Sequence, residues 1–174
     1  MKITHKEIRH DTEEITKLAL TSDKEIPSFL SPIKRLKFHL IIFYLFSAMT
    51  LFFMPQNADF LTWVGLLGFG TLNWIFILGY LFGYDYLFSM VNFPAVRELK
   101  LVKIMAKKIH AYGVIWLISI IILGVASLVT ELSIGSLVIG NFILTLLGIM
   151  IFSVDVSRYQ LSGVVGVVSG FRSK

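Results

Sequence analysis

Cysteine is missing from all 174 residues. Its absence excludes disulfides, thiolate metal sites and thiol nucleophiles, and leaves the redox compartment unread. Charge is scarce as well. Asp, Glu, Lys and Arg make up 16% of the chain, against about 25% in an ordinary soluble domain. Catalytic signatures are also lacking: no phosphate-binding glycine loop with its lysine, no HExxH and no GxSxG occurs. His5 and His10 stand five apart with no further ligand at metal-site spacing, and His110 beside Tyr112 reads as an interfacial anchor. Asp85 is the one acid between the second apolar run and Glu98, so no carboxylate cluster forms there. The sequence therefore implies no catalytic residue, no cofactor and no metal, and a protein that is not an enzyme.

Apolar residues are abundant. They account for 56% of the chain, aromatics for 14%, and the mean hydropathy is +0.79. The charges fall in three blocks separated by long uncharged runs, the pattern of membrane spans rather than of a soluble core. The first run is about 38–54, FHLIIFYLFSAMTLFFM. At about 1.5 Å per residue it just crosses a hydrocarbon layer of about 30 Å. Pro55, Gln56, Asn57 and Asp59 make a hydrophilic turn into a second run at 60–83. The third and fourth runs, 111–130 and 134–153, are joined by a short turn marked by Glu131 and Ser133. The expected fold is an all-α membrane protein with four transmembrane helices arranged as two hairpins. To these are added an N-terminal helix and an amphipathic helix in the loop 84–110. No cleavable leader is expected, because the first 37 residues are polar and charged.

Basic residues orient the spans. Residues 1–37 carry eight Lys/Arg, the loop 84–110 five, and the tail 154–174 three, which accounts for all sixteen; the two short turns carry only Asp59 and Glu131. The positive-inside rule then places both termini and the middle loop in the cytoplasm. The net charge of +5 is thus a topological signal and does not call for direct nucleic acid binding.

The segments outside the spans carry the candidate recognition residues. Thr4 and Glu7 have capping-box spacing at the head of a helix over 4–21, with Ile8, Ile15 and Leu18 on one face. This helix is either a solvated element resting on the membrane or a docking arm. Pro27 and Pro32 are expected to end helix there, with Lys34, Arg35 and Lys37 reaching anionic lipid head groups. Pro94 suits the first turn of a basic amphipathic helix over 94–109. Its apolar stripe is Val96, Leu99, Val102, Met105, Ala106 and Ile109, and its cations are Arg97, Lys100, Lys103, Lys107 and Lys108. Either an interfacial connector or a surface for an acidic partner fits this pattern. In the tail, Asp155 and Arg158 have i, i+3 spacing and can pair, and Tyr159 sits at an aromatic-belt position. Arg97, Lys100, Lys103, Lys107, Lys108, Arg158 and Tyr159 are the candidate partner contacts.

No Asp, Glu, Lys or Arg lies centrally in a run, and His39 falls at the cytoplasmic edge of the first. This argues against an ion-coupled transporter. Asn73 and Asn141 are the strongly polar central side chains and read first as interhelical glue. Gly79 and Gly83, at GxxxG spacing, read as a close helix approach within the chain or between copies in a homo-oligomer.

A charged N-terminus, the lead-in IPSFLSPIK at Ile26–Lys34, four spans and the segment DVSRYQLSG at Asp155–Gly163 together resemble the TraS-type entry-exclusion proteins of F-like conjugative plasmids. The two quoted segments carry the resemblance at residue level. It implies a protein of the bacterial inner membrane that blocks redundant DNA entry by recognising the donor's transfer protein TraG, without catalysis. Two alternatives stand beside it: an immunity protein against a pore-forming bacteriocin, and an accessory subunit or small membrane enzyme.

Overall fold

The computed structural model describes residues 3–20, 30–53, 59–91 and 98–172, with side chains described throughout except at 18–20, 83–91, 158 and 160–172. Within these residues the chain is all helical. The helices are α1 (His5–Leu20), α2 (Ser31–Phe52), α3 (Phe60–Val91), α4 (Lys100–Val129) and α5 (Ile134–Arg172). Four of them, α2 to α5, are long and apolar enough to cross a membrane, the architecture of a multi-pass membrane protein. Their outward faces carry exposed Ile41, Leu45, Phe76, Ile115, Ile122 and Ile143. Apolar surface of that extent is a liability in water and suits contact with lipid.

Helix bounds differ from the apolar runs wherever no residue stops the backbone ladder. Pro32 does not end a helix but sits in the first turn of α2, where its missing N–H costs nothing. The sequence Ser31–Lys37 therefore joins the span. No break separates the basic stretch from the third run, so residues 100–110 are the opening turns of α4. In the same way α3 continues to Val91 and α5 through the tail to Arg172. The expected start of the basic helix at Pro94, and Arg97 within it, lie outside the described residues.

The chain divides into two compact units, one drawn from 28–85 and 112–149, the other from 1–27, 86–111 and 150–174. In the first unit, contacts fix the helix order. Trp63 Nε1 donates to Thr50 Oγ1 at 3.0 Å and Tyr44 to Thr71 Oγ1 at 3.1 Å, so α2 and α3 form an antiparallel hairpin. Leu123 beside Gly140, and Trp116 donating to Asn141, make a second hairpin of α4 and α5. Leu66 beside Gly135, Gly70 beside Val138 and Phe69 on Phe142 run α3 parallel to α5. His39 on Gly113 and Phe46 on Gly124 run α2 parallel to α4. The core these contacts enclose includes Phe43, Trp74, Ile77, Ile120, Leu137 and Val138. Lipid is as apolar as these side chains, so their close packing rather than their hydrophobicity holds the helices together.

Close approach depends on particular glycines. A Cβ at Gly124 would overlap the Phe46 ring, and one at Gly70 would lie 2.9 Å from Phe43 Cζ. Gly79, offered by its spacing as an approach point, has nothing within 4 Å of a Cβ placed there, and the Gly83 position carries no described side-chain environment. The α4–α5 turn brings Ser133 to a φ of 44°, tightened by its N–H donating to Thr130 O at 3.0 Å. Gly124→Ala is expected to destabilise the bundle by about 1–3 kcal/mol, the usual penalty of overpacking. Gly79→Ala should leave thermal unfolding in detergent unchanged or slightly raised. Equal losses at both positions would contradict this packing.

Candidate functional site

The unit drawn from 1–27, 86–111 and 150–174 gathers most of the charged residues. At its edge α1 opens with the expected capping box. The Thr4 N–H donates to Glu7 Oε2 at 2.7 Å, and the Glu7 N–H to Thr4 Oγ1 at 3.3 Å. Among the described residues of α1, Ile8 and Asp11 are buried. Asp11 has a distant role. The first N–H groups of any helix lack intrahelical acceptors, and Leu99, whose carbonyl starts the α4 ladder, has no side-chain acceptor to offer. The Asp11 carboxylate, 7% exposed, fills that role from another helix by accepting the Leu101 N–H at 2.8 Å. A negative charge at a helix N-terminus is also favoured by the helix dipole. One turn earlier, Glu7 Oε1 accepts from Lys100 Nζ at 2.8 Å.

The candidate cations divide by partner. Lys100 is paired with Glu7, and Lys103 with Glu98 at 2.7 Å. Lys108 donates to Asp155 and lies over the Tyr159 ring, 5.4 Å from its centroid. Asp155, read from spacing as a partner of Arg158, is thus joined to a helix 47 positions away in sequence, while the Arg158 side chain lies outside the described residues. Lys107 is exposed and is the candidate cation with no partner among the described residues. The structure therefore brings Lys108 and Tyr159 together and makes Lys100 and Lys103 part of the unit's own scaffold. Among the described residues, no three His, Cys, Asp or Glu side chains converge as a metal cage requires.

The other unit holds a polar seam that the sequence only partly disclosed. Because α2 begins at Ser31, His39 lies more than two turns inside the helix and is buried. Its Nε2 meets Gly113 O at 3.0 Å. The His39 ring packs on Trp116 at 5.1 Å, and Trp116 stacks on Trp74 at 5.3 Å. Trp116 Nε1 donates to Asn141 Oδ1 at 3.2 Å. Asn73 and Asn141 are both buried, so the two central asparagines do face the interior. The Trp74–Trp116 stack and the depth of His39 were not readable from hydropathy. A histidine flanked by apolar residues, seven positions past a helix-starting proline, was the available signal.

Elsewhere in this unit several hydroxyls are matched locally, although Ser133 Oγ is buried without a partner among the described residues. Ser47, Thr71, Ser119 and Ser127 return their hydroxyls to carbonyls of the preceding turn. In the seam, His39 Nδ1, Asn73 Nδ2, Trp74 Nε1, Asn141 Nδ2 and Thr145 Oγ1 are buried without a partner among the described residues. Each such group ordinarily costs about 1–3 kcal/mol. Compared with protein-family models, with curated proteins and with solved structures, the chain matches none.

The Glu7 contacts make the docking of α1 sensitive to pH. Lys100 first, then the Thr4 N–H and hydroxyl, lower its pKa from 4.5 to about 2. A depressed carboxylate stabilises above its unfolded value and loses that contribution as pH falls, here between about 4.5 and 2. With the Glu7 side chain 42% exposed, salt should weaken the pair as well. Amide exchange along α1 is expected to quicken over that pH interval. Asp11→Ala should quicken it about fivefold at neutral pH, the factor corresponding to about 1 kcal/mol for a lost cap. Exchange unaffected by either change would mean that α1 is held by other contacts.

Proposed function

We propose that this chain is an inner-membrane entry-exclusion protein of the TraS type, which recognises the donor transfer protein TraG and prevents redundant conjugative DNA entry without catalysing a reaction. One observation carries most weight beside the sequence resemblance. Thirteen of the sixteen Lys and Arg of the chain fall in the segments 1–27, 86–111 and 150–174, which belong to one compact unit. That grouping supports a topology in which both termini and the middle loop share a side, the cytoplasmic one by the positive-inside rule. The turns bearing Asp59 and Glu131 are short and offer little to grip from the other side. Recognition then falls to the unit containing α1, the start of α4 and the end of α5, with Lys107 as the candidate contact that has no partner among the described residues.

Protection against a pore-forming bacteriocin is the rival reading. The exposed α4 face of Ile115, Ile118, Ile122 and Val125 is the surface it would use, helix against helix. The two readings place damaging mutations differently, in the charged unit or on the span faces.

A mating assay decides between them. Recipients expressing the chain should take up DNA poorly from one class of F-like donor and normally from an unrelated donor. Lys107→Glu should weaken exclusion about tenfold, equivalent to about 1.4 kcal/mol of recognition, at an unchanged level in the membrane. Lys108→Glu, which faces Asp155, should lower that level instead. Uptake unchanged from every related donor would overturn the proposal and make bacteriocin protection the next test.

A further inference from the structure

The seam inside the helical bundle is matched to a particular kind of ligand. Its members come from four helices: His39 from α2, Asn73 and Trp74 from α3, Trp116 from α4, and Asn141 and Thr145 from α5. They share a level. Gly70 beside Val138 and Phe69 on Phe142 set the α3–α5 register, so Asn73 and Trp74, one turn on, stand at the height of Asn141 to Thr145. Asn141 and Thr145 are themselves one turn apart on a single face. Trp116 links the remaining side by stacking on Trp74, packing on His39 and donating to Asn141.

The unused valences are of both kinds. Asn73 Nδ2, Trp74 Nε1 and Asn141 Nδ2 can only donate, and the Asn141 orientation is set by its Oδ1 accepting from Trp116. Gly113 O can only accept, so His39 Nε2 carries the proton of that bond. In the neutral imidazole His39 Nδ1 is then an acceptor, and it too is buried and unpartnered. The Thr145 hydroxyl can act either way. A carbonyl or an anion would serve the three donors and leave His39 unmet. Water both gives and takes, and a buried water typically makes two to four hydrogen bonds to groups of this sort.

We infer that the seam formed by His39, Asn73, Trp74, Asn141 and Thr145 is an internal water-binding site within the four-helix bundle. Trp74, 1% exposed and carrying an unpaired indole N–H, is its natural reporter.

The test uses the full chain in lipid nanodiscs, labelled with indole-¹⁵N tryptophan, with the Trp74 signal assigned through Trp74→Phe. A rotating-frame water-transfer measurement separates dipolar contact from proton exchange by the sign of the cross-peak. The expected result is a cross-peak between the Trp74 indole proton and water with the dipolar sign, at a position shielded from bulk solvent. No cross-peak, or one with the exchange sign alone, would overturn the proposal. The seam would then be dry, its donors turning to acceptors of the protein itself.

Discussion

A polar group in the hydrocarbon layer has no water to fall back on, and the rest of this structure follows from that constraint. Every backbone donor must be used within its own segment, so the spans are helical. Hydroxyls in the bundle fold back onto carbonyls one turn earlier, as Ser47 and Ser127 do. Indoles reach across to neighbouring helices, as Trp63 does to Thr50 and Trp116 to Asn141. Helices come close where a side chain is missing, as at Gly70, Gly124 and Gly140. The seam around Trp74 is where local matching runs out and a mobile partner becomes the economical solution.

Charge obeys the complementary rule. Absent from the centres of the spans, most of it collects in one unit, where several charges are paired. Glu7 meets Lys100, Glu98 meets Lys103, and Asp155 meets Lys108. Asp11 supplies the α4 N-terminus with the acceptor that Leu99 cannot. Residues that the positive-inside rule reads as topological signals thus also join α1, α4 and α5. Exposed pairs contribute little each, about 0–1 kcal/mol, so α1 rests on Ile8, the Asp11 cap and the Glu7 pair acting together.

Much of the fold was legible from the sequence because apolar length is a blunt and reliable signal. Four uncharged runs gave four spans, and short turns gave two hairpins. The Thr4–Glu7 capping box was legible because its geometry is local. Helix bounds were less so. Hydropathy marks where a helix becomes apolar, not where its ladder stops, and no breaker stood between Lys100 and Val129 or between Ile134 and Arg172. The position of His39 well inside α2 followed from that same shift at Pro32. Which glycine lies at a crossing depends on helix rotation, so GxxxG spacing drew attention to Gly79 while the tight contact is at Gly124. The pairing of Lys108 with Asp155 joins distant segments, and spacing within one helix favoured Arg158 instead.

The proposed topology puts the charged segments on one side of the membrane and the two short turns on the other. Because the chain has no cysteine, each introduced thiol is the only one present. Single cysteines at Glu14, Lys107, Asp59 and Glu131, challenged with a membrane-impermeant maleimide on intact and opened cells, test this most directly. Asp59→Cys and Glu131→Cys should react in intact cells, and Glu14→Cys and Lys107→Cys only after the membrane is opened. Reaction of Lys107→Cys and Glu131→Cys under the same condition would contradict the four-span arrangement proposed here.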